Sequence, residues 1–282
     1  GTSASISWEP STSTVQDYVV EYTIHGTENW TPIYTEETSA VLSGLSEKTY
    51  YDVKVSAICN EGVSNPVTRT FFTICNNLTD KQIGDGNTLT SEFPLYSSLG
   101  YSYSQQIFIA EEFSGNMEIE LVAFQFNNNN GLELNRALNI YLGNSDTLPV
   151  STWIPKGDLQ HVYAGTVNFH NRDENGWVYI LLDQPFSYEA EKNLIIVVYD
   201  TTGNSSGQSN FYSHASTIPS LSLAQNAQIN IGARPAEDYE MTSIRNNVRF
   251  SGCADIGCNA PGYLRASNIT GEDAYITWVE EG

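Results

Sequence analysis

The chain has 282 residues, and 40% of them are hydrophobic, so it can build a sizeable core and more than one domain. Its 12 Lys and Arg residues against 33 Asp and Glu residues give a formal net charge of −21. A surface this negative repels phosphate backbones and anionic lipid, which makes nucleic acid and bare membrane poor partners. No run approaches the ~20 apolar residues of a membrane helix, so the sequence predicts no transmembrane segment.

Alternating segments predict strands along the whole chain, and no convincing helical window interrupts them. Residues 5–8, 18–22, 51–57 and 274–278 alternate apolar and polar side chains, and Gly, Asn, Ser and Pro separate such segments. Short strands at this spacing are typical of β-sandwiches and barrels, so the predicted fold class is all-β.

Residues 1–75 closely resemble a fibronectin type III (Ig-like) domain. The resemblance rests on Trp8 in an early strand and on Leu45 and Tyr51 within residues 42–57. It implies that Trp8 is the core tryptophan of the second strand, and that Leu45 precedes a turn to which the Tyr51 hydroxyl bonds back. The family's first strand, A, is absent from the pattern before residue 4. We therefore predict a fibronectin type III-like domain lacking strand A.

The end of the chain repeats its beginning. Aligning residues 271–280 with residues 1–10 places Ala274, Ile276 and Trp278 on Ala4, Ile6 and Trp8. Residues 257–282 are therefore predicted to be strands A and B of a second, truncated module, and the chain to be a slice of a tandem array. Two hypotheses stay open for this C-terminal hairpin: strand exchange with a neighbouring fibronectin-like module, or a loosely packed tail.

Residues 76–256 are rich in Asn, Ser, Tyr and Gly and predict a larger, jelly-roll-like β-sandwich. The Asn-rich run at 127–131 predicts a hairpin turn between strands at 118–126 and 137–142. The continuous apolar run at 194–199 predicts a strand in the centre of the sandwich. Further strands are predicted at 105–110, 177–182 and 246–250.

Several pieces of this middle region resemble a domain of Bacteroidetes surface proteins and, more distantly, the cleaved-adhesin jelly rolls of gingipain-type proteins. The pieces are residues 101–107, 140–143, 153–155, 176–178 and 182–186. The resemblance implies an exported, cell-surface protein, and it assigns no activity or ligand to any residue.

The four cysteines suit an exported protein with disulfides, since their number is even and no CxxC pair or nearby histidine indicates zinc. We expect Cys59 to pair with Cys75 and Cys253 with Cys258, each closing a short loop. Free buried thiols are the alternative.

No catalytic motif is present, so the predicted function is non-catalytic, with no catalytic residues and no cofactor. None of the four histidines stands in an HExxH motif, and no GxSxG elbow occurs. Accidental pairs among 33 acidic residues could still imitate a catalytic site, so an enzyme in the middle domain stays a third hypothesis.

Binding is the favoured function, because aromatic and amide side chains that suit sugars cluster in residues 93–105 and 200–212. The predicted ligand-binding residues are Tyr96, Tyr101, Tyr103, Asp200, Asn204 and Tyr212. Packing against a core is the alternative for Tyr101 and Tyr103, while Trp153 and Trp177 are expected in the core. Calcium is a lesser hypothesis, with Asp85 and Asp200 as ligands, and plain turns explain both loops equally well.

The predicted protein is thus a secreted or cell-surface adhesion protein whose partner is a glycan or a host or cell-surface protein. The alternative is a spacer or scaffold region of a larger secreted enzyme, such as a glycoside hydrolase or peptidase. Modules of this kind serve both roles, so the residues do not separate the two hypotheses.

Overall fold

A computed structural model describes residues 2–75, 78–127, 131, 133–149, 151–232, 239–254, 262–267 and 275–279. Within them the chain forms twenty strands and two single 3₁₀ turns, Ala110–Glu112 and Lys156–Asp158. The strands are β1 Ser3–Ser7, β2 Asp17–Ile24, β3 Thr31–Thr35, β4 Ser39–Ser43, β5 Thr49–Cys59, β6 Gly62–Val63, β7 Val67–Thr73, β8 Leu78–Ile83, β9 Thr88–Thr90, β10 Tyr101–Phe108, β11 Met117–Asn127, β12 Asn135–Ser145, β13 Gln160–Asn168, β14 Trp177–Tyr188, β15 Asn193–Asp200, β16 Asn210–Gln225, β17 Glu240–Asn246, β18 Val248–Ala254, β19 Gly262–Ser267 and β20 Tyr275–Val279. The all-β fold class is confirmed.

The first seven strands form two facing sheets. β1 pairs with β4, while β3, β2, β5 and β7 follow one another in the second sheet, with β6 also on β5. Their alternating side chains meet in one core, in which Val20, Leu42 and Leu45 are buried. The Tyr51 hydroxyl accepts the N–H of Ser46 at 2.9 Å, which confirms that this tyrosine bonds back to the turn.

β1 and β4 form the smaller of the two sheets in the described part of this module. β4 is the one strand that pairs with β1 among the residues that the structure describes. Trp8 follows β1 and lies edge-on to Tyr18, with ring centroids 5.3 Å apart, but it is only half-buried. Trp8 nevertheless packs against the core of this small sandwich, so its predicted place in the core is confirmed.

The middle strands form a sandwich of two layers, as a jelly-roll-like domain requires. One layer runs β14–β11–β18–β8, and the other runs β13–β12–β15–β10–β16, with β17 and β9 paired to β16. The end of β11 also pairs with the start of β16 and so joins the two layers. β15 lies between β12 and β10, which confirms the central position of residues 194–199. Leu194, Ile196 and Val198 point into the core between the layers. Ile195 and Val197 point to the opposite face, which is also covered, so both faces of the strand are apolar.

The predicted hairpin between β11 and β12 was wrong. β11 pairs with β14 and β18 in one layer, whereas β12 pairs with β13 and β15 in the other. An Asn-Gly signal reports a turn but not which strands pair across it. The chain crosses between layers here, and Leu134 is fully buried just before β12 while its carbonyl accepts the N–H of Phe169 at 2.8 Å.

The cysteine pairing also differs from the expectation. Cys75 forms a disulfide with Cys253, with Cα atoms 5.8 Å apart, and Cys59 is a half-buried free thiol. Cys258 lies outside the described residues. The cause is the antiparallel pairing of β8 with β18, which places Leu78 opposite Cys253 and so brings Cys75 to the end of β18. The expectation that each cysteine pairs across a short loop was wrong, because the pairing of β8 with β18 brings together two cysteines that are 178 positions apart.

β19 and β20 form an antiparallel pair of their own, with Ala266 opposite Ile276 and Ser267 opposite Tyr275. The division of the chain into residues 1–75, 76–256 and 257–282 stays a prediction. In the described part, no helix is both long and apolar enough to cross a membrane.

Candidate binding cleft

A buried ion pair joins the two segments that the sequence marks for binding. Arg136 and Asp200 are both fully buried, and the Arg136 Nε and Nη2 atoms lie 2.7 and 2.6 Å from Asp200 Oδ2. Nη1 donates to the Asn204 carbonyl at 2.7 Å and to Ser206 Oγ at 3.0 Å, and Nη2 donates to the Leu99 carbonyl at 2.9 Å. The guanidinium therefore holds the segment before β10 against the loop after β15.

Close backbone contacts reinforce this junction. The Gly203 N–H donates to the Gly100 carbonyl at 2.8 Å, and the Ser97 hydroxyl donates to the Gly207 carbonyl at 2.6 Å. A Cβ added at Gly100 would stand 2.8 Å from the Gly203 carbonyl oxygen, and Gly203 has a φ of +82°. Both positions therefore favour glycine, and the two loops form one fixed surface at this end of the sandwich.

A cleft of 590 Å³ opens beside this surface. It is lined by aromatic, aliphatic and acidic side chains: Glu92, Tyr96, Leu99, Ser222, Leu223, Ala224, Tyr239 and Glu240. The register of β16 and β17 places Ser222 opposite Glu240, at the cleft wall. Tyr239 is fixed in place, because its hydroxyl donates to the Ser151 carbonyl at 2.5 Å and its ring stands edge-on to Trp153.

The cleft is acidic. Burial raises the pKa of the Glu92 carboxyl above its usual value, and the neighbouring charge of Glu240 raises it further. The two carboxylates accept hydrogen bonds, while Tyr96, Leu99 and Leu223 offer apolar surface. This combination suits a hydroxylated ligand with an apolar face.

The Glu92 pKa tests this electrostatic arrangement. In Glu240→Gln we expect the Glu92 pKa to fall but to stay above that of an ordinary glutamate, because burial is the larger cause. Titration of the Glu92 side-chain carboxyl by NMR measures the shift, with exposed Glu28→Gln as the control. An unchanged Glu92 pKa in Glu240→Gln would show that the two carboxylates do not interact.

The structure brings only part of the predicted ligand set to the surface of this region. Tyr96 lines the cleft, Tyr101 is half-buried along Gly203, and the Asn204 side chain is exposed. Tyr103 is 1% exposed and packs against Trp153 and Tyr199, so its prediction as a ligand contact was wrong. Burial raises the pKa of Tyr103, as expected for a phenol enclosed in a core.

Two further predicted residues have structural roles. Asp200 is enclosed by Arg136 and also accepts hydrogen bonds from Thr202, so neither its ligand role nor its calcium role fits its position. The Tyr212 hydroxyl accepts a hydrogen bond from the Asn127 amide at 2.9 Å, outside the cleft lining.

Asp85 is exposed, and among the described residues it belongs to no group of three side chains spaced for a metal. Cys75, Glu120 and Cys253 meet that spacing, but the two cysteines form the disulfide. The predicted core positions of Trp153 and Trp177 are confirmed, with exposures of 3% and 2%.

Sequence reasoning missed Arg136 and the far wall of the cleft, which comprises Glu92, Leu223, Tyr239 and Glu240. Glu92 lies more than a hundred positions before Leu223, Tyr239 and Glu240, and the pairing of β16 with β10 and β17 brings the cleft segments together. One signal was available for Arg136: a lone arginine at the start of an apolar strand calls for a buried acidic partner.

Comparisons with known proteins identify one part of the chain. Residues 1–73 match the sequence model of the fibronectin type III domain, whereas no curated protein matches the chain.

Three solved structures are similar at low scores. Chitinase ChiA74 from Bacillus thuringiensis is 15% identical with a TM-score of 0.23, and the match covers 73% of this chain and 25% of the chitinase. A two-domain fibronectin type III segment of chicken tenascin is 11% identical at 0.24, covering 87% and 93% of the two chains. A structure titled for the promiscuous specificity of carbohydrate-binding modules from the β-sandwich superfamily is 12% identical at 0.25, covering 69% and 82%. The chain spans a quarter of the chitinase, and scores this low carry no argument. The sequence match and the strand arrangement together show that residues 1–73 are a fibronectin type III module.

Proposed function

We propose that this chain is a non-catalytic part of an exported, cell-surface multidomain protein that binds a glycan through the cleft of the middle sandwich and so acts in adhesion. The observation that carries the proposal is the mixed lining of the cleft, with Tyr96, Leu223 and Tyr239 beside Glu92 and Glu240. Binding sites with this character combine apolar surface with a few fixed polar groups.

The lining matches the two faces of a sugar ring. C–H groups of a pyranose pack on tyrosine and leucine side chains, and its hydroxyls donate to carboxylates. Tyr239 is held by Ser151 and Trp153, so part of the site is already ordered before a ligand arrives. In the described part of the chain, the Tyr96 hydroxyl forms no hydrogen bond and stands available to a ligand.

Charge narrows the ligand class. Glu92 and Glu240 line the cleft, and the whole chain carries a formal charge of −21. Sialylated or sulfated glycans would be repelled, so the proposed ligands are neutral sugars or amino sugars.

A glycan array probed with the full chain tests the proposal. We expect neutral or amino-sugar glycans to be retained, and Tyr96→Ala to weaken binding by about tenfold, as is common for a tyrosine at the centre of a contact. Tyr34→Ala is the matched control, because Tyr34 is 64% exposed on β3, outside the cleft. An array that stays empty with folded protein, or equal losses in both variants, would overturn the proposal.

The second candidate function is a spacer in a larger secreted enzyme. It is favoured by contacts that join the fibronectin type III module to the sandwich. The Lys48 ammonium forms ion pairs with Glu118 and with Glu120 of β11, and the Cys75–Cys253 disulfide lies at the same junction. Burial lowers the Lys48 pKa, but the hydrogen bond and charge of Glu118 outweigh this and raise it overall. Glycan binding lost in Tyr96→Ala would favour adhesion over this alternative.

The proposal also includes the modular division at residues 75 and 256 and an extracellular location. A disulfide joins Cys75 to Cys253, and bonds of this kind persist in oxidising compartments. Mass spectrometry of the protein from its native host, without added oxidant, would test the location, since an intracellular protein would carry both thiols reduced.

A further inference from the structure

A buried glutamate lies against the disulfide of the middle sandwich. Glu120 is 2% exposed, and its Oε1 atom lies 3.4 Å from Cys253 Sγ. One carboxylate oxygen of Glu120 and the Sγ atoms of Cys75 and Cys253 all lie within 4.8 Å of one another. A carboxylate and two sulfurs at this spacing can reach one metal ion once the sulfurs are no longer bonded to each other.

The backbone of β11 directs Glu120 to this place. The register passes from Ile119 to Leu121 while the neighbouring strand β18 advances by one residue, so Glu120 is the extra residue of a β-bulge. Ile119 packs in the core of the sandwich, and Glu120, although next to it, is buried beside the disulfide instead. A bulge changes the direction of a side chain in this way, and bulges are frequent next to functional sites.

The Glu120 carboxylate is only partly satisfied. Its Oε1 atom lies 3.3 Å from the Lys48 ammonium, whereas its Oε2 atom is buried and has no hydrogen-bond partner among the described residues. The sulfurs of a disulfide carry no proton and donate nothing to it. Burial raises the pKa of Glu120 above its usual value, against the charge of Lys48. A buried carboxylate oxygen without a partner is costly, and a cation beside the sulfurs would satisfy it.

We propose that reduction of the disulfide turns this place into a zinc site, with the thiolates of Cys75 and Cys253 and the carboxylate of Glu120 as ligands. A dithiol reductant gives two electrons and two protons to the S–S bond, becomes a disulfide itself and leaves two thiols. Zinc then displaces one proton from each thiol. The sulfurs separate to about 3.8 Å, as on a tetrahedral ion. Two thiolates and a carboxylate suit zinc, whereas magnesium and calcium take oxygen ligands.

The zinc ion would replace the disulfide as the link between strands. Cys253 lies on β18, Glu120 lies on the neighbouring β11, and Cys75 comes just before β8, the other neighbour of β18. The same loop, with a sequence separation of 178, stays closed in the reduced chain. The sandwich would thus keep its closure in a reducing medium. This inference does not rest on glycan binding, because none of the three ligands lines the cleft.

Metal binding by the full chain tests the site. The background carries Cys59→Ser and Cys258→Ser, so that the two disulfide cysteines alone can supply thiols. The chain is reduced with dithiothreitol, freed of it in the absence of air and titrated with zinc against a chromogenic chelator. We expect one zinc ion per reduced chain and none per oxidised chain. Cobalt in place of zinc should give the charge-transfer absorption of thiolate ligands.

Two glutamate variants test the third ligand. Glu120→Gln should weaken zinc binding by about tenfold or more, since loss even of a group that only supports a ligand costs that much. Glu118→Gln is the matched control, because Glu118 lies on the same strand and also pairs with Lys48, but it is not one of the three grouped ligands. Equal zinc affinity in the two variants would overturn the proposal, as would equal zinc uptake by oxidised and reduced chain.

Thermal unfolding supplies a measurement that needs no glutamate variant. Zinc should raise the unfolding midpoint of the reduced background chain and leave that of the oxidised chain unchanged, because an ion that binds the folded site favours the folded state. Magnesium is the control ion and should move neither midpoint. A reduced chain whose midpoint is the same with and without zinc would overturn the proposal.

Discussion

Arg136→Met is expected to destabilise the middle sandwich by about 3–5 kcal/mol, because it leaves the Asp200 carboxylate buried without its cation. Arg136 and Asp200 are both fully buried, so solvent does not hydrate the Asp200 carboxylate in the folded protein. The variant also removes the donors to the Leu99 and Asn204 carbonyls, so the two loops beside the cleft lose their common anchor. Denaturant unfolding followed by tryptophan fluorescence measures the loss.

Two further variants separate the buried charge from the loss of a large side chain. Arg136→Met combined with Asp200→Leu should cost less than Arg136→Met alone, since no unpaired charge remains. Arg69→Met is the matched control, because Arg69 is exposed and, within the part of the chain that the structure describes, donates only to the neighbouring Thr68 carbonyl. If Arg136→Met and Arg69→Met unfold at the same denaturant concentration, the buried pair does not stabilise the sandwich.

Cys75→Ser is the second large effect. The disulfide closes a loop with a sequence separation of 178, and the chain-entropy model gives about 5 kcal/mol for a loop of that size. The loss should appear in the unfolding of the middle sandwich, because Cys75 precedes β8 and Cys253 lies on β18 beside it. Calorimetry of the wild type, the wild type with reductant and Cys75→Ser measures it.

Cys59→Ser is the internal control for that experiment, since Cys59 is a free thiol. The free energy of unfolding of the fibronectin type III module and that of the middle sandwich should each stay within about 0.5 kcal/mol of the wild type, as for most substitutions away from specific features. Reductant should lower the stability of Cys59→Ser as much as that of the wild type. A Cys59→Ser variant as unstable as Cys75→Ser would indicate that Cys59 is also needed for the disulfide, which would contradict the Cys75–Cys253 pairing.

Local pattern was enough to predict strands, because alternation depends only on which side chains are next to each other. Residues 194–199 were placed in the centre of the sandwich for a similar reason: a strand covered on both faces must be apolar throughout. The Tyr51 hydroxyl was also predictable, since its partner Ser46 lies five residues away.

The pairing of residues that are far apart in the chain could not be predicted from the sequence. Cys75 was paired with the wrong cysteine, and β11 with the wrong strand, because in each case the true partner is fixed by the order of strands in a layer. From its sequence context Asp200 was predicted to be a ligand-binding acid in a loop. In the structure it is buried and paired with Arg136, which lies 64 residues earlier in the chain. Of the residues that line the cleft, the sequence predicted Tyr96, whereas Ser222 and Glu240 meet there through the register of β16 and β17.

The position of the disulfide has a mechanical consequence. A pull applied to the chain on either side of the sandwich enters at Cys75 and leaves at Cys253, and the covalent bond between them carries the load directly. The strands between these residues bear none of this force, so tension that unfolds the preceding fibronectin type III module does not extend the sandwich or open its cleft. Tension transmitted along the chain would thus lengthen the first module while the sandwich between the two cysteines stays folded.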